Sequence, residues 1–193
     1  MKSATPEILA VLDACVLYPP SLRDLLLWLA VGEVYAPRWT EKIHSEWIRN
    51  VLANTPAVMP ARLERTRRLM NQSVADCVVS GYERHIPTLM LPDADDRHVL
   101  AAAIEANASL IVTFNLQDFP DTILGTYGVQ AVHPDRFLLG LYNEGPELFL
   151  RGLAEHRASL RSPSKTTAQY ISTLKAVGLK RLVLRLEAHL SDF

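Results

Sequence analysis

Apolar runs broken by proline, glycine and acids mark out alternating strands and helices along the chain. Residues 8–12 (ILAVL) form a short unbroken apolar run that stops at Asp13, the pattern of a parallel strand buried on both faces. Pro19-Pro20 opens a helix predicted over 21–31, since proline suits a helix start. Residues 34–36 read as a short second strand. Thr40 is a candidate N-cap for a helix running to 51, and an arginine-rich helix is predicted over about 61–74. Residues 76–80 (DCVVS) suggest a further strand. Asp93 or Asp95 is the expected cap of a helix over 96–107, followed by a strand over 109–113 (SLIVT) and a last edge strand over 128–132. His133-Pro134 begins another helix. Strands alternating with helices imply a parallel, doubly wound α/β sheet. After Gly140 no strand pattern returns, and residues 146–161, 165–176 and 179–190 read as helices.

Of 193 residues, 49% are hydrophobic and 21% charged, with a net charge of −1. This supports one folded α/β domain with a modest appendage and excludes a generally basic nucleic-acid coat. Cys15 and Cys77 have no zinc spacing, which fits free thiols in a reducing compartment. The apolar start of the chain contains acids, unlike a signal peptide, and no uncharged run reaches membrane-spanning length. The expectation is a cytoplasmic protein without a membrane partner.

Ligands of parallel α/β sheets gather at the carboxyl ends of the strands. Asp13 ends the first strand, while Asn115 and Asp118 follow SLIVT. Asp96 shares a helical face with Val99, Leu100 and Ala103, so it points to the core side of its helix. Glu46 borders the stripe of Ile43, Trp47 and Val51. Singly, each acid has a plain use as a helix-end or surface charge. Together in a low-dielectric cleft they repel, and a cation relieves that repulsion. Donors that are all oxygen suit Mg²⁺ or Mn²⁺, whose chemistry includes phosphodiester hydrolysis.

The segments VLDACVLYP, WTEKIHSEWIRN, LPDADDRHVLAAAI and SLIVTFNLQDFP, in that order, resemble the PIN-domain nucleases, and most closely the VapC-type toxins of bacteria. The likeness spans about residues 9–133, and the tail is similar to the helical extension of one VapC-like subgroup. The resemblance implies a three-layer α/β PIN domain with a central, mostly parallel sheet over 1–140, then a C-terminal helical extension over 141–193. It implies a Mg²⁺-dependent endoribonuclease, with Mn²⁺ as a substitute, that cuts tRNA or rRNA as the toxin of a toxin–antitoxin pair. A cognate antitoxin and a homodimer are the partners it implies. Asp13, Glu46 and Asp96 correspond to the family's metal-binding acids; its fourth acid falls at Asn115, and Asp118, three residues on, is the expected further metal ligand that supplies the missing charge. Asn115 orients water or offers a carbonyl but brings no charge.

Arg62, Arg65 and Arg68 recur every third residue, with Arg67 nearby and Arg49 at the end of the preceding helix. Such a stripe follows a phosphate backbone or simply faces water. Arg97 and His98 flank Asp96 and are candidate substrate contacts, with a surface role as the alternative for His98. Two competing readings stand beside the nuclease. One is a non-catalytic PIN-like RNA- or protein-binding module with a metal site weakened at Asn115. The other is a phosphatase with Asp13 as nucleophile, disfavoured because Cys15 stands where such enzymes carry a second acid.

Overall fold

The computed structural model describes residues 8–161 and 163–187. Four short strands form one sheet in the order β2-β1-β3-β4, all parallel: β1 (Leu9–Leu12), β2 (Ala36–Arg38), β3 (Leu110–Val112) and β4 (Gln130–Val132). Strand β1 is central because its run of aliphatic side chains can be buried on both faces; Ala10, Val11 and Leu12 are fully buried. Its register pairs Leu9 with Ala36 and Leu12 with Val112, so the carboxyl ends of β1 and β3 lie side by side. Asp13 N–H donates to the Val112 carbonyl, and Thr113 N–H to Val132, each extending the ladder by one residue.

The expected strand over 76–80 is reduced to one parallel bridge, Trp39 to Val78, beside β2. Its neighbours explain the brevity, because Asp76 and Gly81 both have positive φ and turn the chain away on either side. A four-residue helix, α1 (Ala14–Leu17), follows Asp13, where the sequence pattern predicts none. The remaining helices of the sheet portion are α2 (Pro20–Val31), α3 (Glu41–Asn54), α4 (Pro60–Ser73), α5 (Arg97–Glu105) and α6 (Asp121–Leu124). Thr40 caps α3 through a bond from Ile43 N–H, as its sequence position suggests.

Four helices close the chain: α7 (Pro134–Glu144), α8 (Pro146–Ser159), α9 (Thr167–Ala176) and α10 (Lys180–Glu187). The part of the last predicted helix beyond 187 lies outside the described residues. Helix α8 packs on α2, and Gly152 permits the approach: a Cβ there would come within 3.1 Å of the Leu29 side chain. Phe137 on α7 meets Tyr35 edge-on, with ring centroids 5.1 Å apart. The core is one contiguous cluster running from the sheet into these helices.

Two buried polar groups tie the C-terminal helices together. Asp135 on α7 accepts from Arg181 N–H at 2.9 Å and Leu182 N–H at 3.0 Å. A carboxylate 46 residues away in sequence thus satisfies two free donors at the start of α10. His156 on α8 pairs through Nδ1 with the Tyr170 hydroxyl at 2.8 Å, and its buried Nε2 has no partner among the described residues. Burial, then the charge of Lys165, lowers His156 to about 4.

Asp135→Ala is expected to destabilise the protein by about 1–3 kcal/mol, because two buried amide donors lose a charged acceptor. A urea unfolding midpoint unchanged from wild type would contradict that role. For His156, the unfolded chain binds a proton below its ordinary pKa of about 6.5, while the folded chain refuses it until about 4. Stability therefore falls as pH drops through that window, by up to about 3 kcal/mol, and this group has no effect above it. In urea titrations at pH 7 and pH 4.5, His156→Gln should show a smaller loss between the two pH values than wild type.

Candidate active site

The ends of β1 and β3 are laced together around one carboxylate. Asp13 is only 5% exposed. Its Oδ2 accepts from Thr113 Oγ1 at 2.7 Å and from Cys15 Sγ at 3.0 Å. Thr113 Oγ1 in turn accepts from Asn115 N–H at 3.0 Å, and Cys15 Sγ from Phe114 N–H at 3.2 Å. Burial, reinforced by the Asp13 charge, pushes the Cys15 thiol up to about 12. Cys15 therefore remains a protonated donor and has no thiolate to offer as a nucleophile.

Asp96 occupies the N-cap position of α5, but its backbone is helical (φ −83°, ψ −7°) and its side chain makes no capping bond. Neither of the two expected caps fills that place. Asp93 instead spends Oδ1 on the amide of Asp95 at 2.8 Å, closing a local turn. The Asp96 carboxyl is thus left over from the helix end, and it is raised to about 6. Burial is the main cause, followed by the charges of Asp13, Asp93 and Asp118, with His98 opposing them. From the other wall, α3 brings Glu46, whose Oε1 lies 3.0 Å from His98 Nε2 and 4.0 Å from Lys42 Nζ.

These elements enclose an open cleft of about 350 Å³ that brings together Asp13, Glu46, Asp96 and Asn115, with Lys42 and Arg49 also on its wall. Asp118 does not line the cleft; it sits on the short 3-10 turn after Asn115, close enough for its charge to act on Asp96. A comparable hollow of about 300 Å³ beside α2 is lined by Asp24, Leu27, Trp28, Val31 and Ser73 and has no such concentration of acids. Among the described residues, no three carboxylate, imidazole or thiol side chains stand close enough to form a finished metal cage.

The candidate substrate contacts divide. Arg49 lines the cleft. Arg62 and Arg65 are exposed on α4, away from it. Arg97 is half-buried, with Nη2 4.0 Å from Met90 Sδ. His98 is a correction to the expectation of a substrate contact or surface histidine: it is 1% exposed and turned to Glu46, so it cannot reach a bound polymer. Thr113, Cys15 and Lys42 are site residues that the sequence pattern alone does not single out. A hydroxyl closing the otherwise apolar SLIV strand is a signal for Thr113, and the i, i+4 spacing to Glu46 is one for Lys42.

Residues 134–188 match the family model of the VapC50 C-terminal domain. Over 63 residues the chain is 48% identical to the protein named "Putative ribonuclease VapC50" of Mycobacterium tuberculosis (strain ATCC 25618 / H37Rv). The match covers 31% of this chain and 37% of that relative, so it spans little more than a third of the relative's length. No solved structure matches the chain. Among the described residues, no helix is long and apolar enough to cross a membrane. The chain thus joins a parallel α/β sheet to a helical C-terminal part, of which residues 134–188 are similar to the VapC50 C-terminal domain.

Proposed function

We propose that this chain is a Mg²⁺- or Mn²⁺-dependent endoribonuclease whose active site is the cleft above the β1 and β3 ends. The observation that carries the reading is the meeting of Asp13, Glu46, Asp96 and Asn115 in one cleft, although they come from four separate elements. The donor chemistry fits a hard cation: every candidate ligand offers oxygen, and neighbouring acids add to the burial that raises Asp96. Asp13 and Asp96 would hold it, with Glu46 and Asp118 nearby. When bound, such an ion activates water and offsets the charge developing on a phosphodiester.

The chain's own residues set the stage for that step. Thr113 and Cys15 both occupy Asp13 Oδ2, which leaves Oδ1 for a cation and fixes the carboxylate's orientation. Lys42 and Arg49 flank Glu46 on the same face of α3, where they can neutralise phosphates on either side of the cut. Arg49 also borders the groove between α3 and α4, whose other charged residues are Glu41, Glu64 and Arg67, while Arg62 and Arg65 are exposed elsewhere on α4. The relative's name speaks of a ribonuclease. Its extension to this chain, with tRNA or rRNA as substrate, an antitoxin partner, a homodimer and a cytoplasmic setting, is part of the same proposal.

A second reading is a non-catalytic RNA- or protein-binding module. It is favoured by the uncharged Asn115 and by the absence of a finished cage among the described residues. Cleavage of total RNA by the purified chain separates the two. The nuclease requires cleavage that EDTA abolishes and that Asp13→Asn lowers about a hundredfold or more with the circular dichroism spectrum retained. If wild type cuts nothing across a wide range of Mg²⁺ and Mn²⁺ concentrations, the second reading holds.

Asn115→Asp supplies the charge that the fourth position lacks. It is expected to tighten Mn²⁺ binding roughly tenfold in calorimetry and, without cation, to destabilise the fold by about 1 kcal/mol through added repulsion. An unaltered affinity would show that position 115 is not near the ion.

A further inference from the structure

His98 is the second residue of α5, two positions after Asp96, and its ring lies between α5 and α3. It is 1% exposed, its Nε2 is 3.0 Å from Glu46 Oε1, and its buried Nδ1 has no partner among the described residues. A buried ring with one unused nitrogen makes best use of its N–H where an acceptor exists, and here that acceptor is Glu46. The donor is therefore Nε2–H, and the bare Nδ1 is left as the less costly unpaired acceptor.

Glu46 needs such an anchor. Its side chain has three rotatable bonds, and Lys42, half-exposed and 4.0 Å away, is too loose to fix it. Held through Oε1, Glu46 keeps Oε2 without a hydrogen-bond partner among the described residues. The first turn of α5 thereby presents one carboxylate to the cleft directly, through Asp96, and steadies a second from α3 through the His98 ring. We infer that His98 is a positioning residue, which holds Glu46 at the cleft wall and so sets how tightly the site takes a divalent cation. This inference rests on the metal-dependent reading proposed above. Groups behind a metal ligand commonly alter cation affinity by ten- to a hundredfold.

The test compares two amide substitutions in the full-length protein. In His98→Gln the introduced amide can place an N–H where the imidazole Nε2–H stands; in His98→Asn the shorter side chain cannot reach Glu46. Binding of Mn²⁺ alone is followed by the electron paramagnetic resonance of the free ion, with thermal melts as a check on folding. His98→Asn is expected to weaken Mn²⁺ binding roughly tenfold and His98→Gln by no more than about threefold. In a Glu46→Gln background the two substitutions should bind alike, because their effect passes through Glu46. Equal affinities for His98→Asn, His98→Gln and wild type overturn the inference, as does a difference that persists in the Glu46→Gln background. If wild type itself binds no Mn²⁺, the metal-centre reading fails and this inference falls with it, an outcome separable from failure of His98 alone. Should His98→Asn not fold, NMR on wild type decides. A slowly exchanging His98 Nε2–H that moves in Glu46→Gln supports the inference, and its absence or indifference overturns it.

Discussion

Asp13 places a carboxylate almost out of water at the end of the most buried strand of the sheet. An ion in that position costs several kcal/mol unless hydrogen bonds replace its solvent. The replacement comes from the neighbouring strand and the first turn of α1: the Thr113 hydroxyl and the Cys15 thiol both donate to Oδ2. The same two groups then accept the amides of Asn115 and Phe114, so the path of the chain after β3 is fixed by the need to satisfy Asp13. Parallel topology makes this arrangement possible, because it sets the carboxyl ends of β1 and β3 side by side. The cleft follows from that constraint, with α3 and α5 forming its walls.

Much of this was legible in the sequence where one physical signal dominated. Unbroken aliphatic runs announced β1 and β3, a proline pair marked the start of α2, and Thr40 marked that of α3. The order of the acids and their likeness to PIN nucleases pointed to the residues that meet in the cleft. Local pattern failed where long-range contact decides. Helix α1 is too short to be stable alone and exists because Asp13 begins it beside the sheet. The cap of α5 departs from expectation because Asp93, Asp95 and Asp96 are interchangeable by propensity, and only the turn closed by Asp93 selects among them. His98 departs from it for a related reason. Residues 98–103 of α5 are all buried, so the helix has no polar stripe from which the facing of its histidine could be inferred.

The C-terminal helices reach back toward the same sheet edge. His133 caps α7 by accepting from Asp135 N–H, and its ring stands against Phe114 with centroids 5.1 Å apart. Phe114 lies between Thr113 and Asn115 in sequence and also forms the nearest surface to Gly178, the positive-φ turn between α9 and α10. Asp135, close to that cap in sequence, secures the start of α10. A short chain of packed rings and caps therefore links the region matching the VapC50 C-terminal domain to the strand end that orients Asp13. Among the described residues its helices supply no group to the lining of the cleft.

Asn115 makes physical sense within the same balance of charge. Asp96 is already held above the ordinary carboxylate range by its burial and by three neighbouring acids. A further carboxylate on the turn after β3 would add to that repulsion in every molecule not holding a cation. An amide keeps an oxygen donor at that position and removes the charge. On the metal-dependent reading proposed above, the folded chain would then depend less on a bound ion, while attraction for one would rest more heavily on Asp13, Asp96 and Glu46. A site with fewer fixed charges gains more from holding each in place, because an unanchored carboxylate must be ordered at the moment the ion arrives. On that reading, the lacing of Asp13 and the imidazole behind Glu46 would be the two places where this chain does that ordering in advance.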